Sequence, residues 1–162
     1  MDVAPEFGTE DHVWHVLEGV PDPEVPALSV VDLGVIRNVE MTGDSTVKLG
    51  VTPTYSGCPA TSLITAAIEL ALKDAGYQPE TETVLSPPWT SDWMSEEGRR
   101  KLKEYGIAPP SPCGTRGAEM AIACPQCGST KTKLVSEFGS TACKALFKCE
   151  DCLEPFEYFK CI

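Results

Sequence analysis

Four cysteines in two close pairs constrain this chain more than any other feature. Cys124-Pro-Gln-Cys127 and Cys149-Glu-Asp-Cys152 are separated by 21 residues. Each pair can turn as a knuckle, and two knuckles at this separation bring four thiolates to one tetrahedral ion. Zinc is the metal the pattern favours. A rubredoxin-like iron is the lesser option, because thiolates suit both ions. Residues 131–135 and 145–148 lie between the pairs and read as strands, which predicts a short all-β zinc ribbon over 122–162. So small a module is marginal by itself, so the ion should supply much of its folding free energy.

Length and charge set the surroundings. The chain has 162 residues, enough for one ordinary domain beside the ribbon. Residues 1–108 carry 18 acidic and 7 basic side chains, whereas 109–162 carry 6 of each. Nucleic-acid binding needs clustered Lys and Arg, so this balance argues against it. It suits a solvated acidic surface or a protein partner with a basic face. No apolar run reaches membrane-spanning length, and the acidic first residues lack the basic start of a secretory leader. The expectation is a soluble, cytoplasmic protein with no membrane partner. In that setting the 8 cysteines point to metal sites rather than disulfides.

The first domain, expected over 9–108, is organised around Val51-Thr-Pro-Thr-Tyr-Ser-Gly-Cys58-Pro59. A strand-like run, 46–51, enters it, and a long apolar helical pattern, 60–75, leaves it. Pro59 fits the first helical position, which would make Cys58 the N-cap. There the helix dipole favours a thiolate, the form that attacks electrophiles and binds soft metals. The competing reading is a small apolar plug at a strand–helix junction. The helix has Leu70 outside its main apolar stripe, which predicts a central helix buried almost all round.

Elsewhere, Thr9 caps a helix with His12 and His15 on its rim, and neither histidine has a ligand companion nearby. Three prolines make 20–26 a rigid loop carrying Asp22 and Glu24. Such carboxylates usually cap turns, although a pair can do acid–base work. Strands are expected at 35–41 and 81–85, and a charged helix at 96–105. A Pro/Gly-rich linker at 109–121 should separate the domains, with Cys113 dispensable inside it. Cys143 and Cys161 are either packed thiols of the ribbon, the preferred reading, or a second sulfur site. The fold class is α+β: a small mixed sheet with packed helices, then the all-β ribbon.

Asp22-Pro-Glu24, Asp32-Leu-Gly34, Thr52-Pro-Thr54 and Cys58-Pro59 together resemble the iron–sulfur assembly domain of SufT-like maturation factors. The stretches 137–147 and 154–162, with 52–61 and 89–94, narrow the resemblance to the PaaD family of bacterial phenylacetate degradation. It covers residues 12–162. The resemblance implies an accessory role in activating phenylacetyl-CoA epoxidase, by assembling or delivering an iron–sulfur cluster. Its implied partners are the di-iron oxygenase and the [2Fe–2S] reductase of that complex. Cys58 would bind iron or a transient cluster, with Asp22, Glu24 and Thr54 at the rim or docking the client. A second copy offering its own Cys58 would let a homodimer bridge a cluster. The alternative is a zinc-dependent docking or scaffold protein with no cluster of its own. No nucleophile–base motif accompanies Cys58, so catalysis by the chain itself is not expected.

Overall fold

The structure, a computed structural model, describes residues 4–114 and 121–162. The chain divides into two compact units, one ending at Trp89 and the other comprising Thr90–Ile162.

In the first unit, α1 (Glu10–Glu18) begins where Thr9 accepts a hydrogen bond from the His12 N–H, as expected of a Thr N-cap. α2 (Val30–Leu33) is a single turn closed by a capping box between Ser29 and Asp32. β1 (Ile36–Met41) and β2 (Thr46–Val51) form an antiparallel hairpin. α3 (Ala60–Asp74) then crosses over to β3 (Gln78–Thr83), which runs parallel to β2. The result is the expected small mixed sheet, ordered β1-β2-β3. Two details differ. β3 starts three residues before the expected strand, since Tyr77 and Gln78 leave the helix cap directly into the ladder through Gln78 N–H to Ser45 O. α3 is also not buried all round. It packs Ile64, Ile68 and Leu72 on the unit's core and exposes Leu63 and Leu70. A helix lying on one face of a sheet has only one side to bury.

The core of this unit joins Val13 and Leu17 of α1, Val47 and Leu49 of β2 and the inner face of α3. Trp89 closes it, buried, with its indole N–H donating to Leu33 O at 2.9 Å. That partner explains why so large a polar-tipped ring ends the unit.

In the second unit, α4 (Glu96–Tyr105) is capped by Ser95 and ended by Gly106 at φ +93°. The expected domain boundary put this helix with the first domain. The structure groups it with the ribbon, because α4 leads straight into β4 (Ile107–Ala108), which pairs with β7 (Pro155–Phe159). β5 (Thr132–Ser136) and β6 (Lys144–Cys149) complete a sheet ordered β4-β7-β6-β5. Its small core contains Ile122, Ala145, Phe156 and Tyr158, with the Phe147 ring 5.7 Å from Tyr158 and 5.9 Å from Phe156.

The remaining cysteines require a correction. Cys113 is not a spare thiol of the linker and Cys161 does not meet Cys143: Cys113 and Cys161 form a disulfide, with Cα atoms 5.5 Å apart. The parallel β4–β7 pairing carries both chain segments the same way, which brings the residues after each strand together. Ile162 N–H donates to Ser91 Oγ and its carbonyl accepts from Ser91 N–H, so the tail is pinned at two points. Cys143 is buried, its sulfur 3.0 Å from Thr141 Oγ1, as the packing reading expects. Part of the expected linker, 115–120, lies outside the described residues. A crosslink spanning 48 residues removes about 4 kcal/mol of unfolded-state entropy in the chain-entropy treatment. Cys113→Ser should therefore lower the stability of this unit by up to about 4 kcal/mol in urea unfolding. An unchanged midpoint would contradict the crosslink.

Candidate functional site: a four-thiolate centre and a separate cysteine turn

The first centre is built by two turns of the same design. Cys124 N–H donates to Ser129 O at 2.8 Å, and Cys149 N–H donates to Glu154 O at 3.0 Å. Each turn presents two sulfurs to its mate. Cys124 and Cys152 sulfurs stand 3.7 Å apart, those of Cys127 and Cys149 3.6 Å, and all four lie within 4.8 Å of one another. A tetrahedron with Zn–S bonds of about 2.3 Å has edges of about 3.8 Å, so the thiols stand at zinc-ligand spacing.

Main-chain N–H groups reinforce this. Those of Cys152 and Asp151 point at the Cys149 sulfur and draw its pKa down to about 7, against the cost of burial. The Glu154 N–H favours ionised Cys152 too, but burial and the neighbouring thiols outweigh it and push Cys152 up to about 12. Crowded thiols cannot all ionise without a cation, and a divalent ion resolves the conflict.

The second candidate lies at the carboxyl end of β2. Thr52 to Pro59 form the turn into α3. The helix begins one residue later than expected: Pro59 is the N-cap and no side chain caps the turn. Cys58 contributes its carbonyl, which accepts the Thr61 N–H at 3.2 Å. Proline's ring holds Pro59 at φ −67°, and with ψ −21° its backbone is already helical, so the cysteine and the proline share the helix start. The Cys58 sulfur accepts the Thr54 hydroxyl at 3.7 Å, and the residue keeps 8% of its surface exposed, while Ser56 and Gly57 of the same turn are exposed. Thr52, in the same turn, has a buried hydroxyl with no hydrogen-bond partner among the described residues. Its sequence neighbours gave no sign of that orphan group.

Other predicted residues serve the scaffold. Asp22 is buried, and its carboxylate accepts the Glu24 and Val25 N–H groups, folding the proline loop on itself. Glu24 is half-buried on the same loop. The His12 ring bonds the Tyr77 hydroxyl at 2.8 Å, and His15 faces Glu18 at 3.8 Å, so neither serves Cys58 as a base. Among the described residues no helix is long and apolar enough to cross a membrane.

Residues 10–85 match the iron–sulfur cluster assembly protein family, and residues 108–160 match the PaaD zinc beta ribbon domain. A crystal structure of a domain of unknown function, DUF59, from Bacillus anthracis superposes with a TM-score of 0.54 at 27% identity, covering 57% of this chain and 90% of that one. The Fe-S protein maturation auxiliary factor YitW of Bacillus subtilis is 35% identical over 99 residues, 60% of this chain and 96% of its own. Fold and site thus define a DUF59-type iron–sulfur assembly domain joined to a four-cysteine zinc ribbon. A protein of Escherichia coli K12 that bears the name of a putative 1,2-phenylacetyl-CoA epoxidase component is 49% identical over 152 residues, 93% of this chain and 92% of its own. The chain belongs to the PaaD family, and its four clustered thiols are the zinc site of that family's ribbon.

Proposed function

We propose that the chain is an accessory factor for a phenylacetyl-CoA epoxidase and assists assembly or delivery of an iron–sulfur cluster to it. The reading is carried by the cysteine turn. A lone thiol held by a weak Thr54 contact, in the same turn as a Thr52 hydroxyl with no partner among the described residues, sits where a strand ends and a helix begins in an iron–sulfur assembly domain. The carboxyl ends of parallel strands are where such folds gather ligands. One thiolate holds a cluster weakly, and a delivery factor needs release as much as binding. A second copy's Cys58 would complete a bridging pair. Asp22 and Glu24 would shape the rim or dock the client. The relatives support the accessory role by name: one is a putative epoxidase component and another a maturation factor. In cells lacking the native copy, Cys58→Ala protein should fail to restore epoxidase activity. Full restoration would rule the carrier role out.

The small exposure of Cys58 favours a second reading, in which the sulfur is a packed plug and the chain docks the epoxidase oxygenase or reductase through its ribbon. Removing zinc would then abolish client binding, whereas Cys58→Ser would leave it intact. A pull-down with purified components separates the two.

A further inference from the structure

The two zinc turns differ at one residue. After the second cysteine of each, the chain passes through left-handed backbone, at Gly128 with φ +76° and at Leu153 with φ +67°. Glycine takes this conformation without penalty, whereas a leucine is strained there. Leu153 does not recover the strain by packing, since 63% of its surface is exposed. The backbone turn serves the knuckle, where Glu154 O accepts the Cys149 N–H, but the leucine side chain stays exposed and packs nothing there, which points to use elsewhere.

The surroundings say what that use is. Leu153 lines an open groove of about 640 Å³ with Leu134, Val135, Lys133, Lys148 and Glu150. Leu134 and Val135 are themselves 45% and 58% exposed. Lys133 and Lys148 are direct partners across the β5–β6 ladder, so their side chains share a face. Like charges placed opposite each other weaken a sheet. Among the described residues neither lysine has a salt-bridge partner, although Lys131 nearby pairs with Asp151. Glu150 offsets one of the two charges and leaves the groove apolar with a basic excess.

We infer that this groove is a docking site for a segment of another protein that presents an apolar side chain flanked by carboxylates. Leu153 is the apolar anchor, and Lys133 and Lys148 read the acidic flanks. A second copy binding face to face would set these lysines against their own duplicates, which is unfavourable. A nucleic-acid strand would meet two lysines, a glutamate and three aliphatic side chains, which is not a phosphate track. The inference rests on the ribbon alone and stands whether or not Cys58 carries a cluster.

The test uses the full zinc-loaded chain, isotope-labelled for NMR, and synthetic peptides in which one leucine is flanked by glutamates, with a lysine-flanked control. The glutamate peptide should shift Lys133, Lys148 and Leu153 resonances, and the lysine peptide should not. Leu153→Gly should weaken binding tenfold or more while keeping zinc content and raising or preserving the thermal midpoint. Lys133→Glu with Lys148→Glu should reverse the peptide preference. Equal response to both peptides, no shift at these residues, or loss of zinc and stability in Leu153→Gly would overturn the inference.

Discussion

Cys149→Ser should unfold the ribbon and leave the first unit folded. Serine keeps the size of the side chain and removes one of four ligands, so the effect isolates the ion. Structural zinc in small domains contributes about 10–16 kcal/mol of apparent binding free energy at neutral pH, far more than a core of this size can replace. That core is a handful of side chains, with Cys124 and Cys149 themselves part of it. Amide signals of β5, β6 and β7 should collapse towards random-coil positions, while those of β1, β2 and β3 stay dispersed. The same reasoning fixes a pH dependence. Zinc must displace thiol protons, and Cys152 holds its proton up to about 12 when no cation is present. Zinc affinity should therefore fall as pH falls, and the ribbon should melt in mild acid with metal release. A ribbon that stays folded after Cys149→Ser would mean that protein contacts alone hold it.

Lys144→Ala should cost about 3 kcal/mol, the lower end for breaking a buried ion pair from one side. Lys144 is only 3% exposed, and its ammonium lies 3.1 Å from Glu157 Oε2. The other carboxylate oxygen accepts the Ser140 N–H, which fixes the turn between β5 and β6. Burial pushes the Glu157 carboxyl up, but the Ser140 N–H and the Lys144 ammonium outweigh it and hold it below the usual range. A carboxyl depressed by folding stabilises the fold fully above its unfolded pKa, about 4.3 for glutamate. That stability is lost as pH falls through the lower, folded value. Wild-type stability should thus drop below about pH 4, and Lys144→Ala should flatten that part of the profile. Unfolding in urea at a series of pH values reads both effects, and a loss well under 1 kcal/mol would show the pair to be incidental.

The parts of this molecule that could be read from the chain are those set by local spacing. The two CxxC pairs declared the zinc centre, because ligand spacing and knuckle geometry are properties of a few adjacent residues. Thr9 declared a helix start for the same reason. What stayed hidden depends on contacts distant in sequence. Cys113 looked dispensable in a linker, and only the pairing of β4 with β7 brings it to Cys161. The apolar pattern of α3 suggested burial on every side, but a pattern cannot tell a helix inside a core from one lying on a sheet with Leu63 and Leu70 outward. Cys58 lies in the turn between β2 and α3 that the sequence marks, and the one-residue difference in where the helix starts is of the size by which residue types leave helix ends open.

The proposed account assigns the sulfurs two separate duties, permanent zinc binding by four and metal exchange by Cys58. Metal analysis of anaerobically purified protein, wild type beside Cys58→Ala, tests that division directly. The account predicts about one zinc per chain in both proteins, as a single tetrahedral site requires, and iron in the wild type only. Iron bound equally by both, or by neither when the wild type is loaded with iron and sulfide, would contradict it.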